Sequence, residues 1–321
     1  LEPMQAVEGG NWSLANGGVD MTLKSDDEPP VDKKINGKEG PVSDYAEGQS
    51  VPFTITSAVP TYPSNAINQR FAISDTMSTG LALNDDITVT IPKQGDEPQD
   101  ITLTAGNDYT LTPAQYVGGQ TFEIVFDYDQ IAQYAGRDII VSYSATLTDD
   151  AVSIENNTAT VQFSRDPNTE NSFETKDDEE KLYTYTINVL KQDADTQEAL
   201  PDAVFELHKG SATGDVVATL TTGQDGKVSV DGLAAGTYYL VETAAPDGYQ
   251  LDATPIQVVI TASTDDNATA DSLIVSKTID NTKTPALPVT GGAGTVAITA
   301  AGVVLVAGAA MLIVRARKSD N

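Results

Sequence analysis

Three polar residues occupy positions where the surrounding sequence favours apolar side chains. Lys191 continues the inward phase of a stretch, residues 183–189, that alternates with period two and therefore predicts a strand. Glu242 follows an apolar run, and Asn281 ends the strand-like stretch 273–281. Burying a lysine or a carboxyl is costly unless a partner uses it. The three residues are therefore a candidate reactive constellation near strand ends.

The residues around this trio match a known pattern. Segment 189–193 reads VLKQD, segment 200–207 reads LPDAVFEL, and segment 236–249 reads GTYYLVETAAPDGY. Together they resemble a Cna-B or SpaA-type pilin domain, and the last segment is similar to the pilin E-box. The resemblance covers nearly all of residues 181–283. It implies an intramolecular isopeptide bond between Lys191 and Asn281, promoted by the acid Glu242.

The implied reaction agrees with the chemistry of buried groups. Burial favours the uncharged amine of Lys191 and the protonated carboxyl of Glu242. A neutral carboxyl can donate to the side-chain carbonyl of Asn281 and make its carbon electrophilic. The amine attacks, ammonia leaves, and an amide joins two strands. A plain buried ion pair of Lys191 and Glu242, with Asn281 as a hydrogen-bonding residue, is the alternative.

A second constellation precedes the first. Segments 30–38 (PVDKKINGK), 73–81 (ISDTMSTGL) and 156–163 (NNTATVQF) resemble a fimbrial isopeptide-forming D2 domain. This resemblance implies a triad of Lys33, Asn157 and the acid Asp75. Lys33 shares the inward phase of its apolar neighbours, whereas Lys34 and Asn156 are the alternative reacting residues. A surface lysine and a turn asparagine without any reaction are the remaining interpretation.

The C-terminal segment resembles a sorting signal. Leu287, Pro288, Thr290 and Gly291 belong to the segment LPVTG, which is similar to the LPxTG motif of sortase substrates. Residues 296–314 carry no charge, and a helix of that length reaches roughly 28 Å, enough to cross a bilayer core. Basic residues at 315, 317 and 318 favour a cytoplasmic end. The alternative is a plain membrane anchor.

The resemblance implies what happens to this signal. A sortase cysteine attacks the carbonyl of Thr290 and releases the chain from Gly291 onward. Thr290 is then joined to peptidoglycan or to a lysine of a neighbouring pilin subunit, and the membrane helix is only a transient anchor. The expected location is the cell surface, attached to the cell wall.

Strand patterns separated by turn residues fill the rest of the chain. They predict an all-β protein: two tandem immunoglobulin-like or Cna-type antiparallel β-sandwiches followed by a C-terminal transmembrane helix. We expect residues 1–28 to finish an upstream domain, 29–175 and 181–283 to form the two sandwiches, and 284–321 to hold the sorting signal. Acidic runs at 25–28 and 177–180 indicate the joints, and the start of the chain, without a secretion signal, suggests a fragment.

Composition limits the function. Lys and Arg total 18 against 47 Asp and Glu, a net charge of -29, which argues against nucleic-acid binding. Cysteine is absent, so a secreted protein of this kind needs a crosslink other than a disulfide. A single histidine offers neither a zinc site nor a catalytic triad. We expect no metal, no cofactor and no turnover enzyme.

Two functions fit these observations. The first is a structural subunit of a cell-surface pilus, assembled or anchored by sortase and stiffened by isopeptide bonds. The second is a wall-anchored adhesin or minor basal pilin that uses the same domains as a stalk. Expected partners are sortase, peptidoglycan, neighbouring subunits and host surface ligands, and the sequence does not decide between shaft and minor pilin.

Overall fold

A computed structural model of the chain describes residues 28–113 and 121–285, and the backbone of two short strands, β1 (Gln5–Ala6) and β2 (Trp12–Ser13), which pair antiparallel. The LPVTG segment, the apolar stretch 296–314 and most of residues 1–28 lie outside the described residues. Within the part of the chain that is described, no helix is long and apolar enough to cross a membrane.

The first unit consists of two sheets around one apolar core. One sheet has the strand order β13-β12-β5-β10-β9, and the other has the order β3-β4-β11-β7-β8, with β6 paired to β11. A short helix, α1 (Tyr128–Ile131), and a 3₁₀ turn (Ala132–Tyr134) precede β11. The strands are β3 (Asp32–Ile35), β4 (Ser50–Ala58), β5 (Phe71–Met77), β6 (Leu81–Leu83), β7 (Thr88–Ile91), β8 (Ile101–Thr102), β9 (Tyr109–Pro113), β10 (Phe122–Phe126), β11 (Asp138–Leu147), β12 (Ile154–Ser164) and β13 (Phe173–Tyr183).

The second unit is a smaller sandwich of the same kind. Its sheets have the orders β17-β14-β20 and β16-β15-β18-β19, and a 3₁₀ turn (Ala270–Leu273) precedes the last strand. The strands are β14 (Tyr185–Asp193), β15 (Val204–Lys209), β16 (Val216–Thr221), β17 (Lys227–Leu233), β18 (Gly236–Ala244), β19 (Ile256–Ile260) and β20 (Ile274–Asn281). The all-β fold class is thereby confirmed.

The inner faces of the strands follow from period-two patterns. In β11 the alternate residues from Ile139 to Leu147 are buried, and the residues between them are only partly buried. In β14 the buried positions run from Tyr185 through Ile187 and Val189 to Lys191. Because successive strand residues point to opposite faces, the same alternation that buries the apolar residues also carries single lysines into the core.

One strand pair departs from the antiparallel order. Strands β14 and β20, near the start and the end of the second unit, run parallel to each other. Asp193 lies opposite Asn281 in this pair, and Lys191 lies opposite Ile279. Residues two apart share a face of a sheet, so Lys191 and Asn281 are diagonal neighbours on the inner face.

The acidic run 177–180 lies in a strand where the sequence indicates a joint. It belongs to β13, which is hydrogen-bonded along its length to β12. Asp177 and Glu179 point to solvent while Glu180 is buried, and the backbone amide of Lys33 donates to Asp178 Oδ2 over 2.7 Å. The run looks like a linker because its exposed face is charged, but its backbone forms an edge strand paired with β12.

A loop of the first unit, residues 42–48, holds the second unit in place; we call it the junction loop. Its backbone bonds to the end of β17 and to the turn that leads from β17 to β18 in the other sheet: Ala235 N donates to Ser43 O over 2.7 Å, and Glu47 N donates to Gly232 O over 2.9 Å. The hydroxyls of Ser43 and Tyr185 lie 3.0 Å apart. Gly232 has a φ of +69°, and a Cβ there would lie 3.0 Å from the Cβ of Glu47, so the close approach favours glycine.

Candidate functional site

In the second unit, a fully buried lysine contacts the asparagine expected to react with it. Lys191 Nζ donates to Asn281 Oδ1 over 2.6 Å, and both side chains are buried. The ring of Phe205 lies 5.6 Å from the same nitrogen. Burial lowers the pKa of Lys191, because removing water disfavours the ammonium. The lysine nitrogen thus lies next to the asparagine side chain, and burial shifts it towards its uncharged form.

Glu242 contacts both nitrogens that a condensation would involve. Its Oε1 lies 3.2 Å from Lys191 Nζ and accepts a hydrogen bond of 2.9 Å from Asn281 Nδ2. The backbone amide of Asp252 donates to the other carboxyl oxygen over 2.9 Å. One carboxyl, brought from β18 in the opposite sheet, therefore bridges the amine and the side-chain amide.

A second polar cluster fixes the strand end beside this site. The Asp193 carboxylate accepts hydrogen bonds from the backbone amides of Thr196 and Asp195, at 2.9 and 2.8 Å, and from the Tyr249 hydroxyl, at 2.7 Å. Lys283 Nζ lies 3.1 Å from the same carboxylate. These contacts, led by the Thr196 amide, lower the pKa of Asp193. Because Asp193 pairs with Asn281, the cluster holds Asn281 in register with β14.

In the first unit, Lys33, Asp75 and Asn157 also gather in the core. Lys33 Nζ lies 2.5 Å from Asp75 Oδ2, and all three side chains are at most 1% exposed. Asp75 pairs with Ala159 across β5 and β12, so it lies diagonal to Asn157 on one face. Burial lowers the pKa of Lys33 and raises that of Asp75. Both shifts favour the neutral pair, amine and carboxylic acid.

A fourth residue, Tyr143, joins the first-unit cluster. Its hydroxyl accepts from Lys33 Nζ over 2.6 Å and from Asn157 Nδ2 over 3.0 Å, and donates to Asp75 Oδ2 over 2.6 Å. Its ring stacks on Phe53 with the centroids 5.3 Å apart. Sequence reasoning missed this residue. The available signal was its inward phase on β11, since a buried tyrosine hydroxyl requires a polar partner.

Two oxygens of this cluster are buried without a hydrogen bond. They are Asp75 Oδ1 and Asn157 Oδ1. Leaving such acceptors unpaired costs about 1–3 kcal/mol each. A proton on Asp75 Oδ1 would turn one of the two unpaired acceptors into a donor. The orphaned acceptors therefore agree with a protonated Asp75, as does the raised pKa of that carboxyl.

The alternative residues lie at the surface. Lys34, one step along β3, pairs with Asp32 over 2.9 Å and with Glu39 over 3.3 Å, and it is partly exposed. Asn156 is exposed and points away from the core. The structure thus gathers Lys33 and Asn157 with Asp75 and leaves the other two outside. The sorting residues Leu287, Pro288, Thr290 and Gly291 lie outside the described residues.

Three family models match the chain, one after another. Residues 47–168 match the Gram-positive pilin backbone subunit 2, Cna-B-like domain. Residues 185–272 match the SpaA prealbumin-like fold domain. Residues 279–321 match the LPXTG cell wall anchor motif. Each match falls on one of the segments singled out above.

Known proteins similar to this chain include surface proteins of streptococci. The trypsin-resistant surface T6 protein of Streptococcus pyogenes serotype M6 is 24% identical over 267 residues, which are 76% of this chain and 48% of that protein. The structure of the T6 backbone pilin from this serotype has a TM-score of 0.61 at 20% identity, covering 78% of this chain and 57% of that one. The pilus 2b backbone protein of group B streptococcus has a TM-score of 0.59 at 26% identity, covering 80% and 99%. The chain spans about half the length of the T6 protein.

Proposed function

This chain carries a Gram-positive pilin backbone domain, a SpaA prealbumin-like domain and an LPXTG cell wall anchor motif, and on that basis we propose that it is a structural subunit of a cell-surface pilus. Sortase joins it to the cell wall or to the next subunit through Thr290. Two internal isopeptide bonds, Lys191–Asn281 and Lys33–Asn157, reinforce it. We assign the two sandwiches to residues 29–175 and 181–283, and β13 (Phe173–Tyr183), which pairs with β12 of the first sandwich, spans the joint between these ranges.

The contact of Lys191 with Asn281 at 2.6 Å is the observation that supports this function best. The neutral amine attacks Cγ of Asn281, and the Cγ–Nδ2 bond breaks. Glu242 lies against both nitrogens, so it can take the proton from Nζ and pass it to Nδ2, which leaves as ammonia. The site reacts once and is consumed, so it is not a turnover enzyme.

The first unit has the same components in a different arrangement. Lys33 supplies the amine, Asn157 the carboxamide and Asp75 the acid. Since the protonated acid can donate to Asn157 Oδ1, it makes the carbonyl carbon more electrophilic. Strand β3 carries the lysine and lies in the sheet opposite to β12, which carries the asparagine. An amide between them therefore ties the two sheets of the sandwich together.

Intact mass spectrometry of the full chain tests both bonds. Each condensation expels one ammonia, so two bonds lower the mass by about 34 Da from the sequence value. Lys33→Ala halves the deficit, whereas the matched control Lys34→Ala, at the exposed neighbouring position, leaves it whole. Peptide mapping then identifies the linked pairs. A full chain with the sequence mass, folded and without linked peptides, contradicts the proposal.

A separate experiment tests the sortase step. The full chain is incubated with a sortase of a pilus-bearing Gram-positive bacterium and an amine acceptor, and the product is sequenced at its new C-terminus. We expect cleavage after Thr290. Leu287→Ala abolishes it, while Val289→Ala, at the variable position of the motif, does not. Cleavage elsewhere, or equal cleavage of both variants, argues against this assignment.

A further inference from the structure

We infer that the Tyr143 hydroxyl is a catalytic proton relay for the isopeptide bond of the first unit, carrying a proton from the attacking nitrogen of Lys33 to the leaving nitrogen of Asn157. This inference rests on the proposed function, since it concerns the mechanism of that bond. It assigns to a tyrosine the transfer that a carboxyl performs alone in the second unit.

The two clusters differ in what touches the leaving nitrogen. In the second unit, Glu242 contacts both Lys191 Nζ and Asn281 Nδ2, at 3.2 and 2.9 Å. In the first unit, the acid is an aspartate, one methylene shorter. Among the described hydrogen bonds, Asp75 accepts from Lys33 and from Tyr143, and the amide nitrogen of Asn157 donates to Tyr143 instead.

Tyr143 has the contacts that a relay requires. Its oxygen lies 2.6 Å from Lys33 Nζ and 3.0 Å from Asn157 Nδ2, both within the reach of direct proton transfer. Its ring is held by stacking on Phe53 and by an edge contact with Phe122 at 5.1 Å. The hydroxyl therefore rotates about its own C–O bond while the oxygen stays between the two nitrogens.

The step balances as follows. The neutral amine of Lys33 attacks Cγ of Asn157 and forms the Nζ–Cγ bond. Nζ passes one proton to the oxygen of Tyr143, and the hydroxyl proton of Tyr143 turns away from Asp75 and goes to Nδ2. The Cγ–Nδ2 bond breaks, and Nδ2 leaves as ammonia. Tyr143 ends as the same neutral phenol, and Asp75 remains the acid that polarises the carbonyl.

The hydroxyl is otherwise hard to explain by packing. Tyr143 lies within an apolar layer of β11, and a phenylalanine would fill the same ring position with the same stacking on Phe53. Burial raises the pKa of Tyr143 well above its ordinary value, so the phenol keeps its proton until a stronger base, such as the nitrogen released from the amide, takes it.

Refolding kinetics of the full chain test the relay. The chain is purified in denaturant from inclusion bodies, where neither site is folded, and is then diluted into buffer. Samples are quenched over time, and each bond is quantified by peptide mapping. In Tyr143→Phe we expect the Lys33–Asn157 bond to form at least about 100-fold more slowly, the scale of general acid–base catalysis. The Lys191–Asn281 bond in the same molecules forms at its ordinary rate and reports that refolding proceeds.

A matched control separates loss of the relay from loss of any buried hydroxyl. Tyr128→Phe removes a hydroxyl that donates to Pro60 O over 2.8 Å, in the same unit and away from the cluster. We expect both bonds to form at their ordinary rates in this variant. If Tyr143→Phe also links Lys33 to Asn157 at the ordinary rate, the relay is wrong while the bond itself stands. If the unaltered chain never links them, the proposed bond fails first, and the relay with it.

Fluorinated tyrosines at position 143 provide a second test that preserves the fold. Replacement by 3-fluorotyrosine or 3,5-difluorotyrosine keeps the ring and the hydroxyl but makes the phenol more acidic. A relay makes the rate of the first bond follow phenol acidity, as Brønsted behaviour requires, while the second bond is unaffected. A rate of the first bond that is independent of phenol acidity overturns the relay, even if Tyr143→Phe folds poorly.

Discussion

Lys191 and Asn281 contact each other across two strands that run in the same direction, β14 and β20. Tension on the two ends of the second unit pulls β14 towards its N-terminus and β20 towards its C-terminus. The parallel pair is therefore loaded in shear, with all its hydrogen bonds resisting together. A covalent amide between Lys191 and Asn281 would take over that load before the ladder separates.

The first prediction concerns the acid of the second unit. Glu242→Gln keeps the shape of the side chain and one acceptor oxygen for Asn281 Nδ2 but cannot shuttle a proton. We expect the Lys191–Asn281 bond to be absent, so that the variant lies about 17 Da, one ammonia, below its own sequence mass instead of about 34 Da. Intact mass with peptide mapping measures this. Glu206→Gln, on the exposed face of β15, should keep both bonds, and a linked Glu242→Gln chain would show that the carboxyl is not required.

The second prediction concerns stability. Asn157→Ala removes the partner of Lys33 and leaves the first unit without its crosslink. By analogy with a disulfide closing a loop of this length, the free energy of unfolding falls by about 5 kcal/mol. Chemical denaturation of the full chain measures the loss. Asn156→Ala, one residue earlier and exposed, is the control that should unfold like the unaltered chain, and equal stability of the two variants would argue against a crosslink.

The third prediction concerns extension under force. A Lys33–Asn157 bond encloses residues 33–157 and leaves 158–183, the remainder of β12 with β13, outside the covalent loop. Asn157 pairs with Glu180, so pulling opens this hairpin from its free end, one pair at a time. Single-molecule pulling should lengthen the first unit by at most about 90 Å, taking about 3.5 Å per residue.

The matching control for force is the chain without this bond. Asn157→Ala should extend over the whole first unit, several times further than the linked chain. An extension of the linked chain that equals the variant's would show that no covalent loop exists there.

The fourth prediction concerns pH. Burial raises the pKa of Glu180 to about 7 from a reference value of 4.5, and one of its oxygens is buried without a hydrogen bond. Between these two pH values the folded state binds a proton that the unfolded chain has released, so stability falls as pH rises through this window. Glu180→Gln removes that slope and raises the melting temperature above that of the unaltered chain at pH 7.5.

Glu179→Gln is the control for this effect, because Glu179 is the exposed neighbour on the same strand. Its melting temperature should follow the pH as in the unaltered chain. If the melting temperatures of Glu180→Gln and Glu179→Gln changed with pH in the same way between pH 5 and 7.5, this result would contradict a buried, protonated Glu180.

Local pattern was sufficient for part of the site. The period-two stretch leading to Lys191 predicted that its side chain points inward. Alternation alone was enough to predict that this lysine is buried. The same reasoning separates Lys33 from Lys34. The assembly of Lys191 with Glu242 and Asn281 depended on the family resemblance, because residues so far apart in the chain meet only through strand order, which alternation does not encode.

Other features depended on long-range pairing and were missed. Tyr143 enters its cluster through β11, a strand whose sequence looks like ordinary core. The acidic residues of β13 looked like a solvated linker, since their charge is visible in the sequence and their hydrogen bonds to β12 are not. The parallel direction of β14 and β20 is a property of topology and has no local signal.

The junction loop restricts how far the two sandwiches can rotate relative to each other. Backbone hydrogen bonds join Ser43 and Glu47 to the end of β17 and the turn after it, and only one residue lies between β13 and β14. Both features leave little freedom for one sandwich to rotate on the other. Bending therefore strains both sandwiches at once instead of opening a hinge. In the proposed pilus, each such joint would resist twisting and bending, so a load applied at one end would be passed to the next subunit.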